Sequence, residues 1–383
     1  MKKVWLIAGE ASGDLYGADL CRTLRMLAPD LMLQGMGGVQ MKQAGVEIFV
    51  DSTELGVVGL IGLKTIRFFL NLLKQVAARA ASERPDLVVL IDYPGFNLRL
   101  AEKLHKLNIP VVYYISPQVW AWKKGRIHKI AKCVNRLLCI FPFEPKVYDG
   151  TGLDVRFVGH PLLEILKPYR QQQVTRDDSL FLLLPGSRSG ELKRHIPPFV
   201  QTAEALLKSH PELHFAMPLP REQNRLQAQD ILAGMTLSEG IKERLSISVG
   251  NTRDLMLKAS AGLAASGTVT VEAAILGLPL VVAYKANWLS YCVGKMLVKL
   301  PWLTIANLVT GKPVYQEFIQ HDATPEKMTP AIEGILAGGS RRQEVVEGIH
   351  ECVQLLGDEA PVSMTVAQNI LEILEAQKPG EGA

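Results

Sequence analysis

The sequence predicts an α/β chain built from two Rossmann-like, doubly wound domains that face a cleft. Two observations lead there: apolar runs of strand length alternate with helix-length amphipathic segments from the first residues, and the alternation breaks once near the middle before restarting. The 383 residues suit two domains at roughly 100–200 residues each. Hydrophobic residues at 48%, with 32 Gly and 22 Pro, exclude a disordered or collagen-like chain.

The first run, residues 4–8, reads as a strand, followed by a small-residue turn at 9–13 and a helix over 14–27. Further strands are expected at 31–36, 87–91, 111–115 and 136–140, completing one doubly wound half. After Gly159-His160-Pro161 a polar stretch, 167–178, offers little to bury and marks the domain boundary. Strands then recur at 180–184, 213–217, 245–249, 261–264 and 280–283, and helical periodicity dominates 325–377. The predicted division is therefore 1–165, 166–355, and a C-terminal helix within 356–383 packing across both domains.

Cys21, Cys133, Cys139, Cys292 and Cys352 are odd in number and widely spaced with no CxxC, which argues against a disulfide framework and for a reducing, cytoplasmic setting. The apolar run after Met1-Lys2-Lys3 ends at Gly9, so no export signal is expected. Net charge is only +4, but three stretches hold cations and no acids: four Lys or Arg over 55–82, eight over 103–143 and four over 285–316. Such stretches predict a surface that meets phosphate, on a nucleotide, a lipid headgroup or nucleic acid.

No apolar run approaches the roughly 20 residues of a spanning helix. Over 60–76, however, Lys64, Arg67, Asn71 and Lys74 form one narrow polar stripe. Leu60, Ile61, Leu63, Ile66, Phe68, Phe69, Leu70, Leu72 and Leu73 take most of the circumference. Apolar surface beyond the usual core-facing stripe, next to cations, suits an interfacial membrane helix; burial in the domain or in an oligomer contact is the competing account.

Gly9-Glu10-Ala11-Ser12-Gly13-Asp14 sits between the first strand and helix, where a doubly wound sheet opens its ligand crevice. It is neither GxGxxG nor a P-loop, and Glu10 and Asp14 suit sugar hydroxyls better than phosphate, unless the motif is only a turn and N-cap. Asp92, at the end of the buried run 87–91, is the candidate general base, since a carboxylate there is partly desolvated. Ser116-Pro117-Gln118-Val119-Trp120-Ala121-Trp122 with Lys123, Lys124 and Arg126 suits nucleic-acid stacking, a phosphorylated acceptor or a structural Trp pair.

In the second half, Leu184-Pro185-Gly186-Ser187-Arg188 repeats the strand, loop, helix logic with a cation that could neutralise a diphosphate while loop amides bind its oxygens. Ser266-Gly267-Thr268 forms another such turn, and Glu272 one turn on could accept from ribose hydroxyls. Together these loops point to a nucleotide-diphosphate donor. The eight histidines show no HxH or HExxH, so neither metal nor other cofactor is expected, and His160 reads as a hinge residue. A nucleotide-sugar 2-epimerase shares the two-domain logic, and a membrane or RNA-binding module would explain the basic and aromatic stretches but not acids at strand ends.

The motifs GEASGD (9–14), DYPGFN (92–97), SPQVWAW (116–122), GHP (159–161), LPGSR (184–188) and SGTVTVE (266–272) resemble, in order and spacing, those of the bacterial lipid-A-disaccharide synthase family. The resemblance implies a GT-B fold and an inverting, metal-independent transfer of 2,3-diacylglucosamine from its UDP derivative to 2,3-diacylglucosamine 1-phosphate, forming a β-1,6 disaccharide. It implies that Asp92, Arg188 and Glu10 act in catalysis, and that Ser12, Gly13, Asp14, Gly186, Ser187, Ser266, Gly267, Thr268, Glu272 and Asn307 bind substrate. This chain departs from the pattern at Gly95, where some members carry a second aspartate, and at Ala306, where relatives often have Pro. Acylated substrates imply docking on the inner face of the inner membrane through Leu60, Leu63, Phe68, Phe69 and Leu72, with Trp288, Trp302, Lys295 and Lys299 as a second contact. Nucleic acid is not an expected partner, and a homodimer is a candidate assembly.

Overall fold

The computed structural model describes residues 1–52, 63–120, 125–286, 300–357 and 361–376, with the side chains of 63–66 excepted. The expectations for Leu60, Trp122, Trp288, Lys295 and Lys299, and for the Leu63 side chain, lie outside the described residues. The chain divides into two compact units, one of residues 1–164 with 357–383, the other of 165–356.

The first unit holds a seven-stranded sheet of β1 (Lys3–Ala8), β2 (Met32–Gly37), β3 (Glu47–Asp51), β4 (Leu87–Ile91), β5 (Val111–Tyr114), β6 (Arg136–Cys139) and β7 (Asp154–Phe157). Its order is β3-β2-β1-β4-β5-β6-β7, and every pairing is parallel. The second unit repeats the scheme with β8 (Asp177–Leu184), β9 (His214–Leu219), β10 (Leu245–Val249), β11 (Ala259–Ala265), β12 (Leu280–Tyr284) and β13 (Gln316–Ile319), ordered β10-β9-β8-β11-β12-β13 and again all parallel. In each sheet the order reverses beside the first strand, so β1/β4 and β8/β11 are the switch points where such sheets open a crevice.

Central strands are continuous apolar runs because helices cover both faces. All five residues of β4 and all seven of β11 are buried. Connecting helices include α1 (Ala11–Leu27), α2 (Leu63–Glu83), α3 (Pro94–Lys106), α4 (Arg126–Cys133), α5 (Ser189–Ser209), α6 (Thr268–Ile275) and α7 (Val362–Ala376).

The sequence reading omits β3, β7 and β13. These lie at or beside sheet edges, are four or five residues long and are only partly buried, so no apolar run betrays them. The last helix, expected to span both domains, belongs to the first unit. Thr23 donates to the Ser363 hydroxyl at 2.9 Å, Ser363 donates through its amide and hydroxyl to Glu164 at 2.8 and 2.7 Å, and the buried Arg136 donates to the Asn369 carbonyl at 2.8 Å.

β2 tolerates no side chain at Gly35. A Cβ there would lie 1.9 Å from the Leu6 carbonyl oxygen on the neighbouring strand. Gly35→Ala is therefore expected to destabilise the fold by about 3 kcal/mol or more, read as a lowered urea midpoint; an unchanged midpoint would contradict the packing described for β1 and β2.

Candidate active site

At the first switch point the chain leaves β4 through two successive left-handed residues, Asp92 (φ 45°) and Tyr93 (φ 49°). Non-glycine residues there store roughly 1–3 kcal/mol each, so the surroundings must hold them. Asn97, fully buried on α3, donates its side-chain amide to the Asp92 and Ile91 carbonyls at 2.8 and 3.1 Å. The Tyr113 hydroxyl from β5 donates to the same Asp92 carbonyl at 2.7 Å. From the other side Gly9 makes room, since a Cβ there would meet the Tyr93 ring at 2.1 Å.

This scaffold leaves the Asp92 carboxylate half-buried at the lip of the sheet. Burial, reinforced by the negative charge of Glu10, pushes its pKa up to about 6. Glu10 and Ser12 are exposed at the start of α1, and the backbone of Gly13 is buried 3.3 Å, from its would-be Cβ, to Ala8. Asp14 belongs to a different role from the substrate contact expected of it. Its carboxylate is 6% exposed and accepts the amides of Gly38, Gln40 and Met41 at 2.6, 3.0 and 3.1 Å, capping the short helix Val39–Gln43.

Beyond β5 and β6 lies a polar and aromatic cluster that sequence reasoning missed. Glu144 is fully buried, accepts the Trp120 indole N–H at 3.0 Å and the Ile140 and Phe141 amides at 3.2 and 3.1 Å, and burial raises it to about 7. Trp120 lies edge-on to Phe143 at 5.0 Å. The structural reading of Trp120 is the observed one; its indole is spent inside the first unit. His160 is buried beside Phe141 at 5.5 Å and burial drives its pKa down to about 3, so it is neutral.

The second unit carries a cavity of about 560 Å³ at its switch point, lined by Gly186, Ser187, Arg188, Ser266, Gly267, Thr268 and Glu272 among others. The two loops differ in a way the sequence conceals. The amides of Ser187 and Arg188, expected to bind diphosphate oxygens, already donate to Oε2 of Glu191 at 3.1 and 3.2 Å. The Ser187 carbonyl accepts from Asn224 at 2.9 Å, and the Pro185 carbonyl lies 2.9 Å from Nδ1 of His195. Because Nε2 of His195 accepts the Lys285 amide at 2.9 Å, the neutral Nδ1–H tautomer follows, and burial lowers its pKa accordingly. Arg188 projects from this clamped loop with its side chain 84% exposed.

Among the described residues the start of α6 has no such carboxylate: Gly267 offers no side-chain cap to its first-turn amides, and a Cβ there would meet open space. An uncapped helix start beside an extended guanidinium is where an anion is best accommodated. Glu272 lies one turn further and is held by Arg253 at 3.1 Å, whose guanidinium lies 5.8 Å from the Tyr169 ring. Asn307, expected to contact the donor, is fully buried, exchanging hydrogen bonds with the Tyr315 backbone at 2.8 Å and donating to Glu317 at 3.0 Å. Ser266 is half-buried, 3.5 Å from the Leu303 carbonyl.

α2 also departs from expectation. Leu72 and Leu73, each 6% exposed, pack into the core, so Leu72 is unavailable to a membrane. Phe69 is half-buried with its ring 6.3 Å from Tyr93. Phe68 and Leu70 remain outside, each 43% exposed, flanking the exposed stripe of Arg67, Asn71 and Lys74. Among the described residues no helix is long and apolar enough to cross a membrane.

Residues 4–370 match the family model described as lipid-A-disaccharide synthetase. The chain belongs to the lipid-A-disaccharide synthase family. It is 38% identical over 379 residues to the lipid-A-disaccharide synthase of Anaeromyxobacter sp. strain K, covering 97% of each, and 36% identical to that of Nitrosococcus oceani, covering 99% and 98%. In architecture it resembles the UDP complex of S. aureus MnaA (TM-score 0.66, 14% identity, both chains fully covered). It also resembles the UDP-GlcNAc 2-epimerase from Neisseria meningitidis bound to UDP-GlcNAc (0.62, 14%, covering 98% and 100%). At that identity the likeness concerns the fold, and it agrees with the expected GT-B class; the epimerase alternative has no support in the family match.

Removing the Asp14 carboxylate strands three amides. Asp14→Ala is expected to lose about 3 kcal/mol of stability, measured by urea unfolding, while the fraction that stays folded keeps its affinity for substrates; weakened binding at full stability would restore Asp14 to a substrate role.

Proposed function

We propose that this family member transfers 2,3-diacylglucosamine from UDP-2,3-diacylglucosamine to 2,3-diacylglucosamine 1-phosphate, forming the β-1,6 disaccharide 1-phosphate and UDP. The supporting observation is Asp92, a carboxylate held by a strained, fully braced turn at the switch point with its pKa raised to about 6. Such a group is ionised at neutral pH and still basic enough to accept a proton in the transition state. Asp92 takes the proton of the acceptor 6-hydroxyl, the hydroxyl oxygen bonds to C1 of the donor sugar from the face opposite the phosphate, and the C1–O bond to UDP breaks. Attack from that face inverts the anomeric centre. Glu10, beside Asp92, keeps its proton affinity high and orients sugar hydroxyls.

In the second unit Arg188 and the first-turn amides of α6 take up charge on the departing diphosphate, and Glu272, fixed by Arg253, accepts from the ribose. Exposed Phe68 and Leu70 beside Arg67 and Lys74 supply shallow burial and headgroup attraction at an anionic bilayer, at about 1 kcal/mol per cation. These features support docking on the cytoplasmic face of the inner membrane, where acylated donor and acceptor reside.

The expected kcat profile falls about tenfold per pH unit below pH about 6, because protonated Asp92 accepts no proton, and is level above it. Asp92→Asn is expected to lower kcat roughly 10²- to 10⁴-fold while UDP still binds by calorimetry. Retained turnover would move the base role to Glu10. Product mass spectrometry with both acylated sugars tests the reaction itself; an epimerised nucleotide sugar in place of a disaccharide would replace the proposal.

The double variant Phe68→Ser, Leu70→Ser is expected to reduce co-sedimentation with anionic phospholipid vesicles several-fold and to leave stability within about 0.5 kcal/mol, as exposed positions allow. Undiminished sedimentation would remove α2 from the docking surface.

A further inference from the structure

Two helix starts open on the cavity of the second unit, and they are treated oppositely. At α5 a carboxylate of the chain itself sits on the amides: Oε2 of Glu191 accepts from Ser187 and Arg188 at 3.1 and 3.2 Å, and Oε1 lies 3.2 Å from the Arg188 guanidinium. The carboxylate fits against Gly186, whose φ is 109° and where a Cβ would lie 2.5 Å from Oε2. Its side chain is 13% exposed and lines the same cavity as Arg188 and Gly267. At α6, among the described residues, no side chain accepts from the Thr268 and Val269 amides, and the Thr270 amide donates to the Gly267 carbonyl at 3.1 Å.

We propose that Glu191 is a positioning residue that sets the register of the donor's diphosphate. This rests on the reading that the cavity receives a UDP-linked donor. A diphosphate offered two adjacent helix starts, each positive, has two registers within reach. By occupying the amides of Ser187 and Arg188 with a fixed negative charge, Glu191 excludes phosphate oxygens from the first and repels them from its vicinity. The diphosphate then settles on the α6 start, with Arg188 reaching it by its side chain alone. The leaving oxygen is thereby held in one place relative to the sugar, at the expense of some affinity for UDP. An ordinary capping residue would have the opposite signature, since losing it would loosen the loop and weaken binding.

The inference is tested with the full chain carrying Glu191→Gln, which removes the charge and keeps the side-chain length, and with Glu191→Ala. UDP binding is measured by calorimetry, inhibition by inorganic pyrophosphate is measured alongside it, and kcat and KM for the donor are measured separately. Expected is a three- to tenfold tighter binding of UDP and a lower inhibition constant for pyrophosphate in both variants, with kcat reduced at least tenfold. Affinity that falls together with kcat in Glu191→Gln would overturn the proposal and leave Glu191 as a cap. If the alanine variant fails to fold, the glutamine variant decides. Wild-type protein that binds no UDP would refute the donor reading itself, an outcome separate from either result in the variants.

Discussion

Everything at the first switch point depends on holding a left-handed peptide pair that isolated residues would avoid. Asp92 and Tyr93 are not glycines, and each stores strain in that conformation. The compensation comes from three directions: the Asn97 amide from the following helix, the Tyr113 hydroxyl from the neighbouring strand β5, and the missing side chain at Gly9, just past the end of β1. Because these partners lie on α3, on β5 and just past β1, the turn exists only once the parallel sheet has assembled. The consequence is chemical, for the turn raises the Asp92 side chain onto the lip while the core below withholds water from it. Its basicity is thus a property of the assembled sheet.

The two units repeat one topology with opposite electrostatic use. In the first, burial does the tuning, raising Asp92 to about 6 and Glu144 to about 7. In the second, charges are paired: Arg188 with Glu191 and Arg253 with Glu272. A proton acceptor needs a group poised to change charge, whereas a leaving diphosphate needs charges that do not change. Carboxylates appear in both units, but the environment assigns them different work.

Much of this was legible in the sequence, for a definite reason. Buried parallel strands are continuous apolar runs, and the small-residue turns after them mark where the sheet opens, so β4 is read at its observed bounds and Asp92, Arg188 and Glu272 fall at the lips as expected. Three kinds of feature were not legible. Edge strands such as β7 lack an apolar run. Helical periodicity cannot tell Leu72, which turns into the core, from Leu70, which does not, because that depends on where the sheet lies. Partners distant in sequence leave no local signal: Asp14 with Gly38, Asn307 with Tyr315, and Trp120 with Glu144 meet only in the fold. The motifs located polar side chains correctly but could not say which were already occupied.

That distinction between present and available separates the fold from its use. Nucleotide-sugar epimerases and this chain share two doubly wound units, so the architecture alone is compatible with either chemistry. Within this chain the use of the fold depends on which groups at the switch points remain free to act. Of the polar residues in the GEASGD motif, Asp14 is consumed in holding Val39–Gln43, leaving Glu10 and Ser12 exposed at the crevice. In the LPGSR motif the backbone is consumed and the guanidinium extends outward. Asp92, with its raised pKa, is at one switch point and an outward cation is at the other. Under the proposed reaction, the exposed Phe68 and Leu70 of α2, set beside Arg67 and Lys74, serve a need that an acylated substrate has and a water-soluble nucleotide sugar does not.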